Sequence, residues 1–222
     1  MRSRRRALTA TGDRGVTLTE VLITIVILAI VIGPITAAII VYLRSTGRTV
    51  DRMAESHDAQ IAAAYFEYDV QNTGLRDWTE APYTDYLPSV ALGAAVNASP
   101  YGCGADTTAS IVRFAWDEPA ATIGAQTFRS AIYVVKPINA TSGELHRITC
   151  AGNTPTTLSL TADLTIVHNI DLTQPPTIGC PVGSASCLAA TPPGTVRLTL
   201  PIRAPRSANA YTIELAGQRR QT

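Results

Sequence analysis

Hydrophobic positions along this chain follow two regimes. The first is a block. From Val21 to Leu43, 23 consecutive residues carry no charge. At about 1.5 Å per helical residue the block reaches about 34 Å, enough for a hydrocarbon core of about 30 Å. It is longer than the apolar core of a secretory signal, and no clean A-x-A site closes it. It therefore reads as a retained anchor. One carboxylate, Glu20, stands at its mouth.

Helical spacing continues past the block. In "RSTGRTVDRMAESHDAQIAAAYFEYDVQNTG" the positions Val50, Met53, His57, Ile61, Ala64 and Tyr68 recur every three or four residues. This predicts one helix from about 17 to 73 with that stripe as its apolar face and Gly74 at its C-cap. Pro34, preceded by Gly33, cannot donate to the carbonyl of Ile30, so a kink or a melted turn is expected there. Gly47 is a weaker break.

Residues 75–109 read as loop, with prolines at 82, 88 and 100 and room for a short helix. The period then changes to two. "SIVRFAW" sets Val112, Phe114 and Trp116 against Ile111, Arg113 and Ala115. "FRSAIYVVK" and "ELHRITC" form a hairpin across "PINATSG". "TTLSLTADLTIVHNI" is a strand region expected to break near Asp163. "GTVRLTLPIRA" and "AYTIELAG" follow, and "PPTIGCPVGSASCLAATPPG" is an irregular insert. About six mostly antiparallel strands result, whose apolar face needs a cover. The amphipathic half of the helix supplies it. The fold class is α+β: a long N-terminal helix, partly transmembrane, packed on an antiparallel β-sheet head. The tail "QRRQT" is expected to fray. There is no internal repeat, and the sequons at Asn97 and Asn139 are short enough to arise by chance.

Charge sharpens this picture. The formal net charge of +1 hides a gradient. Residues 1–15 hold five arginines against Asp13, a balance of +4, and the remainder stands at −3. Arginines before the apolar block place the N-terminus in the cytoplasm and the rest outside. With a single lysine, Lys136, no basic stripe exists and no nucleic-acid partner is indicated. Cys103, Cys150, Cys180 and Cys187 include no C-x-x-C pair, so no metal site is expected. Outside the cytoplasm an even count favours two disulfides. Of three possible connectivities, nearness favours Cys180–Cys187, leaving Cys103–Cys150; four reduced thiols are the alternative.

Candidate chemistry is sparse. His57, His146 and His168 lack ligand spacing, with His57 read as packed and the other two as surface or rim residues. Asp117-Glu118 reads as a solvated turn. Motifs for zinc hydrolysis, a nucleophile elbow or a phosphate loop are absent. No catalytic residue, cofactor or enzymatic activity is expected.

The stretch "RGVTLTEV" gives the remaining signal. A basic prefix, a glycine, an apolar residue, Thr-Leu-x-Glu and an apolar run resemble the class III signal of type IV pilins and pseudopilins. The resemblance implies cleavage by a prepilin peptidase between Gly15 and Val16, then methylation of the new amine on Val16. The fifth mature residue, Glu20, is the family's glutamate. A carboxylate deep in hydrocarbon costs at least about 2.5 kcal/mol, so a partner is expected. On this resemblance the expected partner is the cationic amine of a neighbouring copy, in a pair that would set axial register. Departures are Val16 in place of the usual Phe, and Thr19 where aliphatic residues are common. More loosely, "AYFEYDVQNTG", "HRITCAG" and "ELAGQRR" are similar to large actinobacterial prepilin-like proteins and J-type minor pseudopilins.

The domains implied are a leader at 1–15, a membrane and assembly helix at 16–43, an amphipathic continuation at 44–74 and a β-rich extracytoplasmic head at 75–222. The resemblance implies a single-pass protein of the cytoplasmic membrane, reaching a filament or the cell surface after assembly. Its partners are prepilin peptidase, other pilin or pseudopilin subunits and an inner-membrane assembly platform. The length and long loops favour a minor subunit of a pilus or secretion pseudopilus. An adhesin or DNA-binding tip protein delivered by the same signal is the other reading, and an anchored extracytoplasmic enzyme the third.

Overall fold

The computed structural model describes residues 15–77, 86–98, 100–103, 110–119, 126–180, 187, 193–203 and 210–220, with the side chain of Asn97 excepted. The chain divides into two compact units at Gly47/Arg48. One helix, α1, runs Leu18–Asn72.

In the first unit α1 is an isolated apolar helix. It is exposed throughout the Val21–Leu43 block. The expected melted turn at Gly33-Pro34 is not found, and the helix also continues through Gly47. Pro34 removes a single donor, and the rungs on either side keep the ladder closed. It is the one described helix long and apolar enough to cross a membrane.

The second unit is a curled antiparallel sheet around the last turns of α1. Among the described residues ten strands occur where about six were expected: β1 Leu75–Arg76, β2 Tyr86–Leu87, β3 Val90–Leu92, β4 Ser110–Pro119, β5 Gln126–Pro137, β6 Ser142–Gly152, β7 Ser159–Asp171, β8 Thr177–Gly179, β9 Thr195–Ile202 and β10 Tyr211–Gln218. The main sheet runs β10-β9-β7-β6-β5-β4-β3, with β8 also on β9 and a separate β1-β2 ribbon. All these ladders are antiparallel. In the β5–β6 turn the Asn139 side chain accepts the backbone N–H groups of Thr141 and Ser142, both at 2.9 Å.

Three expectations about strands are corrected. The region read as loop holds β1, β2, β3 and a 3-10 helix at Gly93–Asn97, while its last residues, 104–109, lie outside the described set. The break near Asp163 is absent: β7 is continuous, and its irregularity is absorbed as register shifts against β6. The irregular insert contributes β8.

Both faces of the sheet are covered. On one, Ala62, Phe66 and Val70 of α1 meet Phe114, Tyr133, Leu145, Val167 and Leu215. The Phe66 ring stands edge-on to Phe114 and Tyr133 at 5.5 and 5.4 Å, a geometry that adds to area burial. Val70 lies so close to β10 that a Cβ on Gly217 would sit 2.6 Å from it, which is why that position is glycine. The other face is covered by the chain after α1. Leu75, Val96 and Tyr101 pack on Ala115, Ile132, Val134 and Ile148. The buried Arg113 donates from one Nη to the carbonyls of Val96, Ala98 and Pro100, fastening this cover.

The predicted stripe meets the core only at Ile61, which is partly buried against it. Val50, Met53 and Tyr68 are 57%, 69% and 50% exposed, and His57 is also exposed rather than packed. The buried side holds Ala62, Phe66, Asp69 and Val70. Polar residues can face inward here because the strands supply partners for them. Asp117-Glu118 is likewise not a solvated turn. Both lie in β4, where Glu118 accepts from Trp116 at 3.0 Å and from Arg129 at 2.6 Å, and Asp117 accepts the N–H of Arg76. Arg219 does not fray: its guanidinium stacks 4.8 Å from the centre of the Tyr86 ring, and its N–H bonds Gly194.

Candidate functional site

Gly15, Val16 and Thr17 precede α1 in non-helical conformation. Thr17 caps the helix. The N–H of Glu20 meets its carbonyl at 3.1 Å and its hydroxyl at 3.3 Å, and the N–H of Val21 meets the same carbonyl at 3.2 Å. A Thr side chain at an N-cap satisfies donors that no intrahelical carbonyl can reach. The spacing Thr-x-x-Glu is itself an N-terminus signal that the apolar block overshadowed. Glu20 falls in the first turn, where a carboxylate is favoured by the helix dipole. Its backbone carbonyl accepts from Thr24 at 2.7 Å. Among the described residues its carboxylate meets no donor, and Gly15 has open space where a Cβ would stand. Gly15 and Val16 thus lie just before the cap, and Glu20 within the first turn, of one helix.

Farther along α1 a second set of carboxylates takes hydrogen bonds from the sheet. Asp69 is buried. It accepts two hydrogen bonds from Arg147, at 2.7 and 2.5 Å, and one from the Tyr133 hydroxyl at 2.7 Å. The Arg147 guanidinium also lies 4.8 Å from the centre of the Tyr65 ring. Burial pushes the Asp69 carboxyl above its ordinary value, with the Arg147 bonds pulling the other way. Burial and the Asp69 charge push the Tyr133 hydroxyl well up, so it remains a donor. Asp58 accepts from both the N–H and Nδ1 of His168, at 3.1 and 2.7 Å, and Glu55 accepts from the Tyr211 hydroxyl at 2.7 Å. Sequence reading missed all three. The available clue was Asp69 at the helical period of Ala62 and Phe66.

His146 stands on β6 beside Asp163, with Nδ1 at 2.7 Å from its carboxylate, and the same aspartate takes Lys136 at 2.5 Å. These groups form a chain of pairs. Among the described residues no three His, Cys, Asp or Glu side chains are placed to hold a metal ion. Cys103 is joined to Cys150 and Cys180 to Cys187, with Cα separations of 6.3 and 5.6 Å. The first bridge ties the covering segment to β6, and the second joins residues flanking a stretch outside the described set.

The family model for the prokaryotic N-terminal methylation motif matches residues 11–36. The chain therefore carries a type IV prepilin-like signal. Joined to a long apolar helix and a large curled antiparallel sheet, it has the α+β architecture of a type IV pilin-like protein. The signal and the apolar helix together mark the chain for membrane anchoring. No curated protein and no solved structure matches the chain.

Proposed function

We propose that this chain is a minor type IV pilin or pseudopilin subunit, cut by a prepilin peptidase and assembled into a pilus or secretion pseudopilus. The observation that carries this reading is a methylation motif whose carboxylate, Glu20, has no donor of its own in the described chain. Cleavage after Gly15 creates an amine on Val16, and methylation leaves it cationic. That amine on a neighbouring subunit completes Glu20, and each helix steps one place along from the next. Residues 1–15 are the leader, 16–43 span the membrane and pack in the assembly, 44–74 continue the helix, and 75–222 form the head outside. The leader stays cytoplasmic because its arginines resist translocation. The inner-membrane assembly platform and sister subunits are the partners, and the role is structural.

Co-expression with a prepilin peptidase, followed by intact mass and N-terminal sequencing, tests this. The expected product begins at N-methylated Val16. A different mature N-terminus overturns the assignment.

A further inference from the structure

Three arginines follow the apolar block at intervals of four. Arg44 comes directly after Leu43, and Arg48 and Arg52 come next. α1 is continuous over all three, so this spacing sets them on one side of the helix. All three are exposed, and none of the guanidiniums takes part in an ion pair, hydrogen bond or ring contact among the described residues. Asp51 is the one carboxylate in residues 44–54, and counting it the segment carries +2. Asp51 already has another partner, and the next carboxylates along α1, Glu55 and Asp58, accept from Tyr211 and His168.

Their place along the chain points to what they meet. As a membrane span, Val21–Leu43 crosses the hydrocarbon and brings Arg44 to the polar boundary. Tyr42, 68% exposed, stands at the same level, where an aromatic ring with a hydroxyl is favoured. At about 1.5 Å per helical residue, Arg48 and Arg52 follow about 6 and 12 Å beyond Arg44. The headgroup layer is about 5–7 Å deep on each side, and its charge is felt for about 8 Å more at physiological salt. All three guanidiniums are therefore within range of headgroup phosphates, which their planar fork can hold by two hydrogen bonds at a time. Arginines at this end of the block also oppose the orientation set by those of the leader, so their presence calls for a ligand on this side. We propose that Arg44, Arg48 and Arg52 bind the phosphates of anionic phospholipids and hold the subunit at the membrane face opposite the leader before assembly. This rests on the apolar block being a membrane span and is separate from the Glu20 pairing.

The test uses the full chain with Ser45→Cys carrying a bimane fluorophore, reconstituted in phosphatidylcholine vesicles. A minor share of the lipid is doxyl-labelled phosphatidylglycerol or, in parallel, doxyl-labelled phosphatidylcholine. The leader's arginines act at the other end of the span and leave this probe unaffected. Quenching is expected to report phosphatidylglycerol enriched at the probe at least about fivefold over phosphatidylcholine, the effect of a single surface arginine. Combining Arg44→Gln, Arg48→Gln and Arg52→Gln is expected to make the two lipids equal. Equal quenching in the unsubstituted stripe, even where two copies cross-link through these arginines, overturns the proposal. So does a preference that survives the triple substitution. Either result leaves the membrane span and the Glu20 reading standing, whereas no quenching by either lipid overturns the span together with this proposal.

Discussion

Two carboxylates on the same helix show how the two units differ. Asp69 lies in the second unit, buried, with three hydrogen bonds from Arg147 and Tyr133. Glu20 lies in the first, exposed, and its carboxylate has no donor among the described residues. A buried charge must be paired where it sits, because the desolvation it suffers is several kcal/mol. A charge at the mouth of an apolar helix can wait for a partner from another molecule. An inward carboxylate such as Asp69 therefore belongs to folding, and under the proposed reading Glu20 belongs to assembly.

The sharpest way to break the comparison is Glu20→Ala. Incorporation into sheared surface filaments is expected to fall to background, with cleavage on a blot unchanged. Normal incorporation would remove the assembly role from Glu20. Next is Asp69→Ala, which strands Arg147 in a buried site. Urea unfolding of the purified chain, read by tryptophan fluorescence, is expected to show a loss of about 3–5 kcal/mol. A loss under about 1 kcal/mol would mean that the pair contributes little to docking the helix. The bridges come third. By the chain-entropy estimate, losing the Cys103–Cys150 link costs about 4 kcal/mol and losing Cys180–Cys187 about 2.5 kcal/mol, so Cys103→Ser is expected to lower the midpoint further than Cys187→Ser. Equal midpoints would refute that ranking.

The smallest effect is on pH. Burial raises Asp163, but hydrogen bonds from Lys136 and His146 outweigh it and hold the carboxyl below its ordinary value. A carboxyl depressed in the folded state adds stability above its unfolded value, and loses it as pH falls through the folded one. An acid titration of thermal stability is expected to steepen below about pH 4 in the native chain and less so in Asp163→Asn. Identical curves would remove Asp163 from the acid response.

Sequence alone carried the length of α1, its apolar block, the β5–β6 hairpin and the β9–β10 pair, since each rests on a period or a turn spanning only local residues. The sheet-facing side of the helix was not legible. Apolar periodicity pointed to Val50, Met53 and Tyr68, but burial is decided by Arg147, 78 residues beyond Asp69, and by Tyr211, 156 beyond Glu55. β1, β2, β3 and β8 are two or three residues long and have no period to read. At the N-terminus the reverse held. Gly15, Val16 and Glu20 stand at fixed spacing, so a local motif was enough to single them out, while the Thr17 cap went unread because no period marks a single hydroxyl.

The close approach of Gly217 to Val70 sets a schedule for folding. The helix leaves the ribosome before the strand that closes over it, which is made about 140 residues later. Until β10 arrives, Val70 lacks one wall and Glu55 lacks its hydroxyl donor. Contacts this distant along the chain close slowly, because a long loop must be ordered before they form. The growing chain thus passes through a stage with a finished anchor and an unfinished head. A truncation just before Tyr211 would hold the protein at that stage, anchored but unclosed.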